Sequence, residues 1–237
     1  MSSSRTGAIV LVYSRPSDFT REEDWSQWYD DPHVPATAAA GGAWVVTRWE
    51  VIDRPPGGTS PVGFSHVAIY ELETLDGVPA VLARLDGPRT NGGAIHPVHT
   101  VVDVDVLTPI GRWCRKDEPS SSLTGHVLAY VGPNDPARLD EWNAWYDAVH
   151  VVDMMESGAF ANTSRWVRVE PRRWGPNHLT LYDVHLADVA EAVTLSGRAM
   201  APAKAAGRIL DCHMGGLRAA LRPAGRYGSS GYRPVQA

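Results

Sequence analysis

Two cysteines in 237 residues, Cys114 and Cys212, are too few for a disulfide framework, and their surroundings show no zinc-ligand spacing. Positive charge is not in excess either: 22 Lys and Arg face 27 Asp and Glu, for a formal net charge of −5. Nucleic-acid binding therefore has no electrostatic footprint. No apolar run reaches the length of a membrane span. The opening MSSSRTG lacks the apolar core of a signal peptide and reads as a frayed terminus. These absences lead us to expect a reduced, cytoplasmic setting, with neither membrane nor nucleic acid as a partner. Tryptophan is what the chain has in plenty. Nine of them imply wide, flat apolar surfaces, as in a large core or an aromatic-lined pocket.

The tryptophans lead to a repeat. WSQWYDDPHV begins at Trp25 and WNAWYDAVHV at Trp142, so the pattern W-x-x-W-Y-D-x-x-H-V is written twice, 117 residues apart. The register extends upstream, where Ile9-Val-Leu-Val-Tyr13 falls on His126-Val-Leu-Ala-Tyr130. Downstream, Gly41 falls on Gly158, and Thr47-Arg48-Trp49 falls on Ser164-Arg165-Trp166. Beyond that, His66-Val-Ala-Ile-Tyr70 matches His178-Leu-Thr-Leu-Tyr182 after a shorter interval, because the loop Pro55–Pro61 is longer than its counterpart. An insertion confined to a Pro/Gly turn is what a structural repeat tolerates.

Each copy reads as strand, helix, strand, strand, helix, strand. In the first, the strands are placed at 7–14, 43–53, 64–72 and 99–108. Thr20-Arg-Glu-Glu23 reads as a capping box opening the motif helix, and 75–85 as a second helix. In the second, Asp135-Pro136 caps a helix to about Glu156, 187–206 is a helix, and the strands are 125–132, 160–170, 178–184 and 208–221. The expected organisation is a first half over 1–112, a linker over 113–123, a second half over 124–222 and a flexible tail over 223–237. A βαββαβ unit makes a four-stranded antiparallel sheet with both helices on one face. The fold class expected is α+β, as two tandem ferredoxin-like units whose sheets pack face to face.

The order W-x-x-W-Y-D-x-x-H-V, then a Gly segment, then a strand carrying an Arg, resembles the dimeric α+β barrel superfamily, and within it EthD-like proteins. The resemblance covers about 7–108 and 125–221. It implies an intrachain version of the barrel. Such barrels include cyclases, decarboxylases, dehydratases, isomerases, cofactor-free monooxygenases and some haem enzymes, so the likeness does not choose a reaction.

On a helix turning about 100° per residue, Trp25 and Trp28 define the buried stripe, and Tyr29 and His33 stand together on its flank. Asp30, three residues before His33, is placed to orient the imidazole, as a general base requires. Tyr146, Asp147 and His150 repeat the arrangement beside Trp142 and Trp145. Alternation along the strands puts His66 and Tyr70 on one face, and His178 and Tyr182 on the matching face, toward the helices. Tyr13, His126 and Tyr130 are added from the first strands, with Asp211 or His213 as further contributions from the last. Arg48 and Arg165 are candidates to hold a carboxylate or enolate oxygen.

The catalytic set expected is therefore His33, Tyr29, Asp30, His66, His150, Tyr146, Asp147 and His178. The binding set adds Trp25, Trp28, Tyr13, Tyr70, Arg48, Trp142, Trp145, His126, Tyr130, Tyr182 and Arg165. Each residue has a plainer reading: tryptophans as core, a helix-end His as a carbonyl cap, aspartates as solvated charge, arginines as cross-sheet ion pairs. His96 and His99 read as loop features.

The function expected is that of a lyase or isomerase without cofactor or metal, acting by His/Asp/Tyr acid–base chemistry on a small aromatic or polyketide-like carbonyl compound. Alternatives are a binding protein without turnover, and an oxygenase or a haem- or metal-dependent enzyme. In the metal version His126, His150 and His178 converge on one ion. A homodimer is a further possibility.

Overall fold

A computed structural model of the chain describes residues 6–52, 61–86, 95–114, 123–228 and 231–234. The chain divides into two compact units, 1–108 with 223–237, and 109–222.

The first unit holds β1 (Ala8–Pro16), β2 (Val45–Val51), β3 (His66–Leu72) and the start of β4 (His99–Cys114), in the antiparallel order β2-β3-β1-β4. α1 (Glu22–Trp28), a π-helical turn over Tyr29–His33 and α2 (Val34–Gly41) form one broken helix, and α3 (Val78–Asp86) is the second. β1 is an apolar, β-branched run buried on both faces. Ala8, Val10 and Val12 pack with Ala68, Tyr70, Trp25, Tyr29, Val34 and Val81, so this side of the sheet faces the helices. α2 and α3 approach closely at two glycines. A Cβ on Gly77 would lie 2.0 Å from Gly41 O, so the contact admits no side chain there.

The second unit repeats the plan with β5 (Gly125–Pro133), β6 (Asn162–Arg168), β7 (His178–Val184) and β8 (His213–Gly228) in the order β6-β7-β5-β8. Its broken helix is α4 (Leu139–Trp145), a π-helical turn over Tyr146–His150 and α5 (Val151–Glu156), followed by α6 (Val189–Ala205). Both units thus have the ferredoxin-like topology. No helix among the described residues is long and apolar enough to cross a membrane.

Several local expectations need revision. Thr20 does not cap the helix: Asp18 caps the 3-10 turn Phe19–Arg21 that leads into it, accepting from the Thr20 N–H at 3.0 Å, and the Thr20 hydroxyl itself donates to Asp18 at 2.6 Å. Asp135 caps as expected, accepting from the Ala137 N–H at 2.9 Å with Pro136 in the first turn. The glycine that ends the broken helix with positive φ is Gly42 in one copy and Gly158 in the other, a one-residue difference from the sequence match. Where a linker was expected, β4 continues to Cys114, and 115–122 lies outside the described residues. The expected loose tail is strand where described: β8 runs to Gly228 and pairs with β9 (Gly231–Pro234). Most of the Pro55–Pro61 loop and the first five residues lie outside the described residues.

Candidate functional site

The π turn is the local device that builds the site. In the second motif one residue too many is fitted into the helix, so the Val151 N–H donates to Tyr146 O, five residues back. In the first, Asp31 leaves helical geometry at φ −152° and ψ 107°, and the Val34 N–H reaches Tyr29 O across that kink. Tyr and His at i and i+4 are thereby brought ring to ring, with centroids 5.0 Å apart for Tyr29 and His33 and 4.6 Å for Tyr146 and His150. Both histidines are buried.

Around each pair the aromatic residues repeat. Trp25 and Trp142 are fully buried, and each indole N–H donates to a histidine on the last strand: Trp25 to His99 Nδ1 at 3.1 Å, Trp142 to His213 Nδ1 at 3.2 Å. His99 and His213 in turn stand 5.4 and 5.5 Å from the rings of His33 and His150. His66 and His178 lie on the far side of the tryptophans, each 4.9 Å from the indole centroid. The site histidines nearest the motif are therefore His99 and His213 rather than His66 and His178. The sequence signal is a His at the start of the closing strand in both copies, masked in the first by His96-Pro-Val, which reads as a loop.

Asp30 and Asp147 do not orient the imidazoles. Asp30 accepts from Arg48 Nη1 at 2.5 Å, and Asp147 pairs with Arg165 in the same way. Each arginine also donates to a helix side chain, Ser26 Oγ at 2.5 Å or Asn143 Oδ1 at 2.6 Å. Each guanidinium lies over the paired Trp and Tyr rings at 4.5–5.1 Å. Arg48 and Arg165 are thus spent inside the unit, joining sheet to helix, and do not await a substrate. The reason lies in three dimensions: a guanidinium carried by the neighbouring strand reaches each carboxylate.

Tyr13 and His126 lie elsewhere than the sequence pattern suggests, whereas Tyr130 belongs to the lining of the second unit's cavity although its register is that of the opposite face. Register pairs Tyr13 with Val67, His126 with Asp183 and Tyr130 with Leu179, all on the face away from the helices. Tyr13 packs on Phe64, His126 Nδ1 sits 3.0 Å from Asp183 Oδ1, and Arg168 covers the Tyr130 ring at 4.0 Å. His126 cannot join His150 and His178, so the three-histidine metal site does not form. Asp211 is likewise engaged at the surface by Arg138 at 2.8 Å.

Tyr70 and Tyr182 are where alternation placed them, fully or nearly fully buried under the motif tyrosines. In the second unit Tyr146 Oη is 2.9 Å from Thr180 Oγ1 and 3.1 Å from Tyr182 Oη. In the first, Ser14, Tyr29, Thr37 and Tyr70 bury their hydroxyls without a hydrogen bond of good geometry. Burial raises the pKa of all four tyrosines, so they remain protonated. Trp28 stacks on His33 at 4.6 Å; Trp145 stands 5.5 Å from His150 and donates to Arg208 O at 2.7 Å.

In the second unit the helix-facing side opens into a cavity of about 190 Å³. Tyr146, His150 and His213 form its polar side, and Met154, Phe160 and Met200 its apolar wall. Its mouth lies along Gly215 to Arg218 of β8, where Arg218 Nη2 donates to the buried Ser196 Oγ at 2.8 Å. His178 is not among the lining residues. The imidazoles are neutral at ordinary pH. Burial, reinforced by His213, Arg165 and Arg218, depresses His150 to about 3. Burial lowers His213 as well, and burial with Arg165 brings His178 to about 4. In the first unit burial, with His99 and Arg84, brings His33 to about 3, and burial with His96 brings His99 to about 4. A neutral imidazole accepts a proton, and a guanidinium at the mouth of an apolar cavity attracts an anion.

No protein-family model matches the chain, and no curated protein matches it. Solved structures do. An anthrone oxidase-like protein superposes with a TM-score of 0.57 at 8% identity, over 99% of this chain and 98% of that one. A chlorite dismutase-like protein gives 0.55 at 9% identity, over 92% and 94%. A monooxygenase-like protein from Fusobacterium nucleatum gives 0.50 at 12% identity, over 98% and 99%. At such identities the likeness carries architecture, not activity. The chain has the dimeric α+β barrel fold, built from two tandem ferredoxin-like units.

Proposed function

We propose that the cavity of the second unit binds a small aromatic or polyketide-like carbonyl compound, and that His150 moves a proton on it in a lyase or isomerase reaction. The observation that carries this reading is a buried neutral imidazole lining an apolar cavity whose mouth bears a guanidinium. With its pKa near 3, His150 is a weak base, so the proton it takes must be acidic, such as one on carbon between two carbonyl groups. The enolate oxygen formed is matched by Arg218, and the protonated Tyr146 hydroxyl supplies a donor deeper in the cavity. Return of the proton to another atom gives isomerisation, and loss of a β-hydroxyl, leaving with a proton as water, gives dehydration. Decarboxylation reaches the same kind of enolate by loss of CO2 instead of a proton, and the carbon then takes up a proton. The doubled W-x-x-W-Y-D-x-x-H-V motif supports an EthD-like relationship for both units.

Proton transfer is read directly by following deuterium uptake from D2O into an aryl 1,3-diketone by NMR. Wild-type protein is expected to speed exchange at the central carbon, and His150→Ala to lose the effect. A probe that binds wild-type protein and exchanges no faster than free in solution would reduce the site to a binding pocket without turnover.

A further inference from the structure

The first unit carries a cluster that the proposed chemistry does not use. Glu22, Glu50 and His66 each bring one ligating atom within 4.8 Å of the others. We propose that these three residues form a binding site for a divalent transition-metal ion. Three elements contribute: Glu22 from the first turn of α1, Glu50 from the end of β2, and His66 from the start of β3. Glu50 and His66 are directly paired across the β2–β3 ladder, and alternation turns both toward the helices, where α1 lies.

Several features suit an ion. Metal–ligand distances of about 2.0–2.2 Å place neighbouring ligand atoms roughly 3–4 Å apart, which this spacing reaches with small side-chain adjustments. His66 is buried, and Ser65 Oγ lies 2.9 Å from its Nδ1. A hydroxyl on Nδ1 holds the ring in place, the usual outer-shell support of a ligating histidine. One imidazole with two carboxylates favours Zn2+, Mn2+ or Fe2+ over Ca2+ or Mg2+. Three protein donors leave coordination positions open for water or a ligand.

The second copy shows that the fold does not require the acids. Leu139 stands where Glu22 does, and Val167 pairs with His178 as Glu50 pairs with His66. The histidine is common to both copies; the two carboxylates are particular to the first.

The test uses the full-length protein, stripped with chelator and titrated calorimetrically with Zn2+, Mn2+ or Co2+ alone, with thermal unfolding recorded in parallel. One saturable ion per chain and a raised Tm are expected. Glu50→Gln and Glu22→Gln should each weaken binding by more than about 100-fold, and Ser65→Ala, which acts through His66, by about ten-fold. His178→Ala should bind as wild type. Absence of saturable binding, or binding at wild-type affinity in both glutamine variants, overturns the site. So does a wild-type Tm that no ion moves while Glu50→Gln lowers the Tm of the stripped protein, since that is the behaviour of an ion-pair network alone.

Discussion

On the last strand of each unit the same β-bulge lies between two equivalent positions, and they are filled in opposite ways. In the first unit Ser14 pairs with Val101 and Val12 with Val104, and both valines pack against the core. In the second, Val131 pairs with Gly215 and Ala129 with Arg218. Counting from the helix caps Thr74 and Asp188, Ser196 falls where the first unit has Leu82, another core contact. Three apolar side chains on one side have become a glycine, a serine and an arginine on the other. The Trp–Tyr–His stripe is kept in both. Duplication here preserved the costly aromatic wall and varied the wall opposite, which in the second copy lines a cavity.

The comparison is broken most decisively by exchanging histidine for alanine in each copy. His150→Ala is expected to reduce deuterium exchange by roughly 10²–10⁴-fold, the usual range for removing a general base. His33→Ala should leave exchange within about two-fold of wild type. Equal losses in the two variants would show that the copies share the chemistry.

Next in size is the buried ion pair. Arg48→Ala leaves Asp30 without its cation and is expected to cost on the order of 3 kcal/mol in urea unfolding. Arg165→Ala should cost less, because the Asp147 side chain is 41% exposed against 20% for Asp30. The reverse order would mean that burial does not rank the two pairs.

Acid sharpens the picture further. Imidazoles with depressed folded pKa values take up protons more readily in the unfolded chain, so their stabilising effect is full above about pH 6.5 and is lost as pH falls toward 3–4. At pH 5, His33 and His150 are each expected to lower stability by about 2 kcal/mol relative to pH 7.5. Denaturation midpoints across that range check it: a wild-type profile that is flat, or one unchanged in His33→Ala, goes against the assigned burial.

The smallest effect concerns the cavity mouth. A Cβ on Gly215 meets nothing within 4 Å, so Gly215→Val should fold normally. By restoring the first unit's residue it should weaken ligand binding roughly ten-fold, about 1.4 kcal/mol, with little change in Tm. Unchanged affinity would place the ligand elsewhere.

Much of this was legible from local pattern. Alternation correctly turned His66 and Tyr70 toward the helices, and helical spacing correctly joined Tyr29 to His33. Errors arose wherever a residue had to choose among partners on other elements. Asp30 sits three residues from His33, but Arg48 arrives from β2 with a full charge. His126 was grouped with His178 although the repeat aligns it with Ile9, one strand parity away from the helices. Arg218 gave no signal at all, because its counterpart Val104 is apolar and nothing nearby repeats.

The amino-acid sequence alone determined the duplication, the order of elements and the rings that share a helix face, because these follow from covalent spacing and fixed backbone periodicity. Tertiary structure decided which charge meets which, which histidine reaches the tryptophan, and where space is left open. Those outcomes depend on distances between elements far apart in the chain, and a difference of a few side-chain carbons there separates a packed core from a cavity.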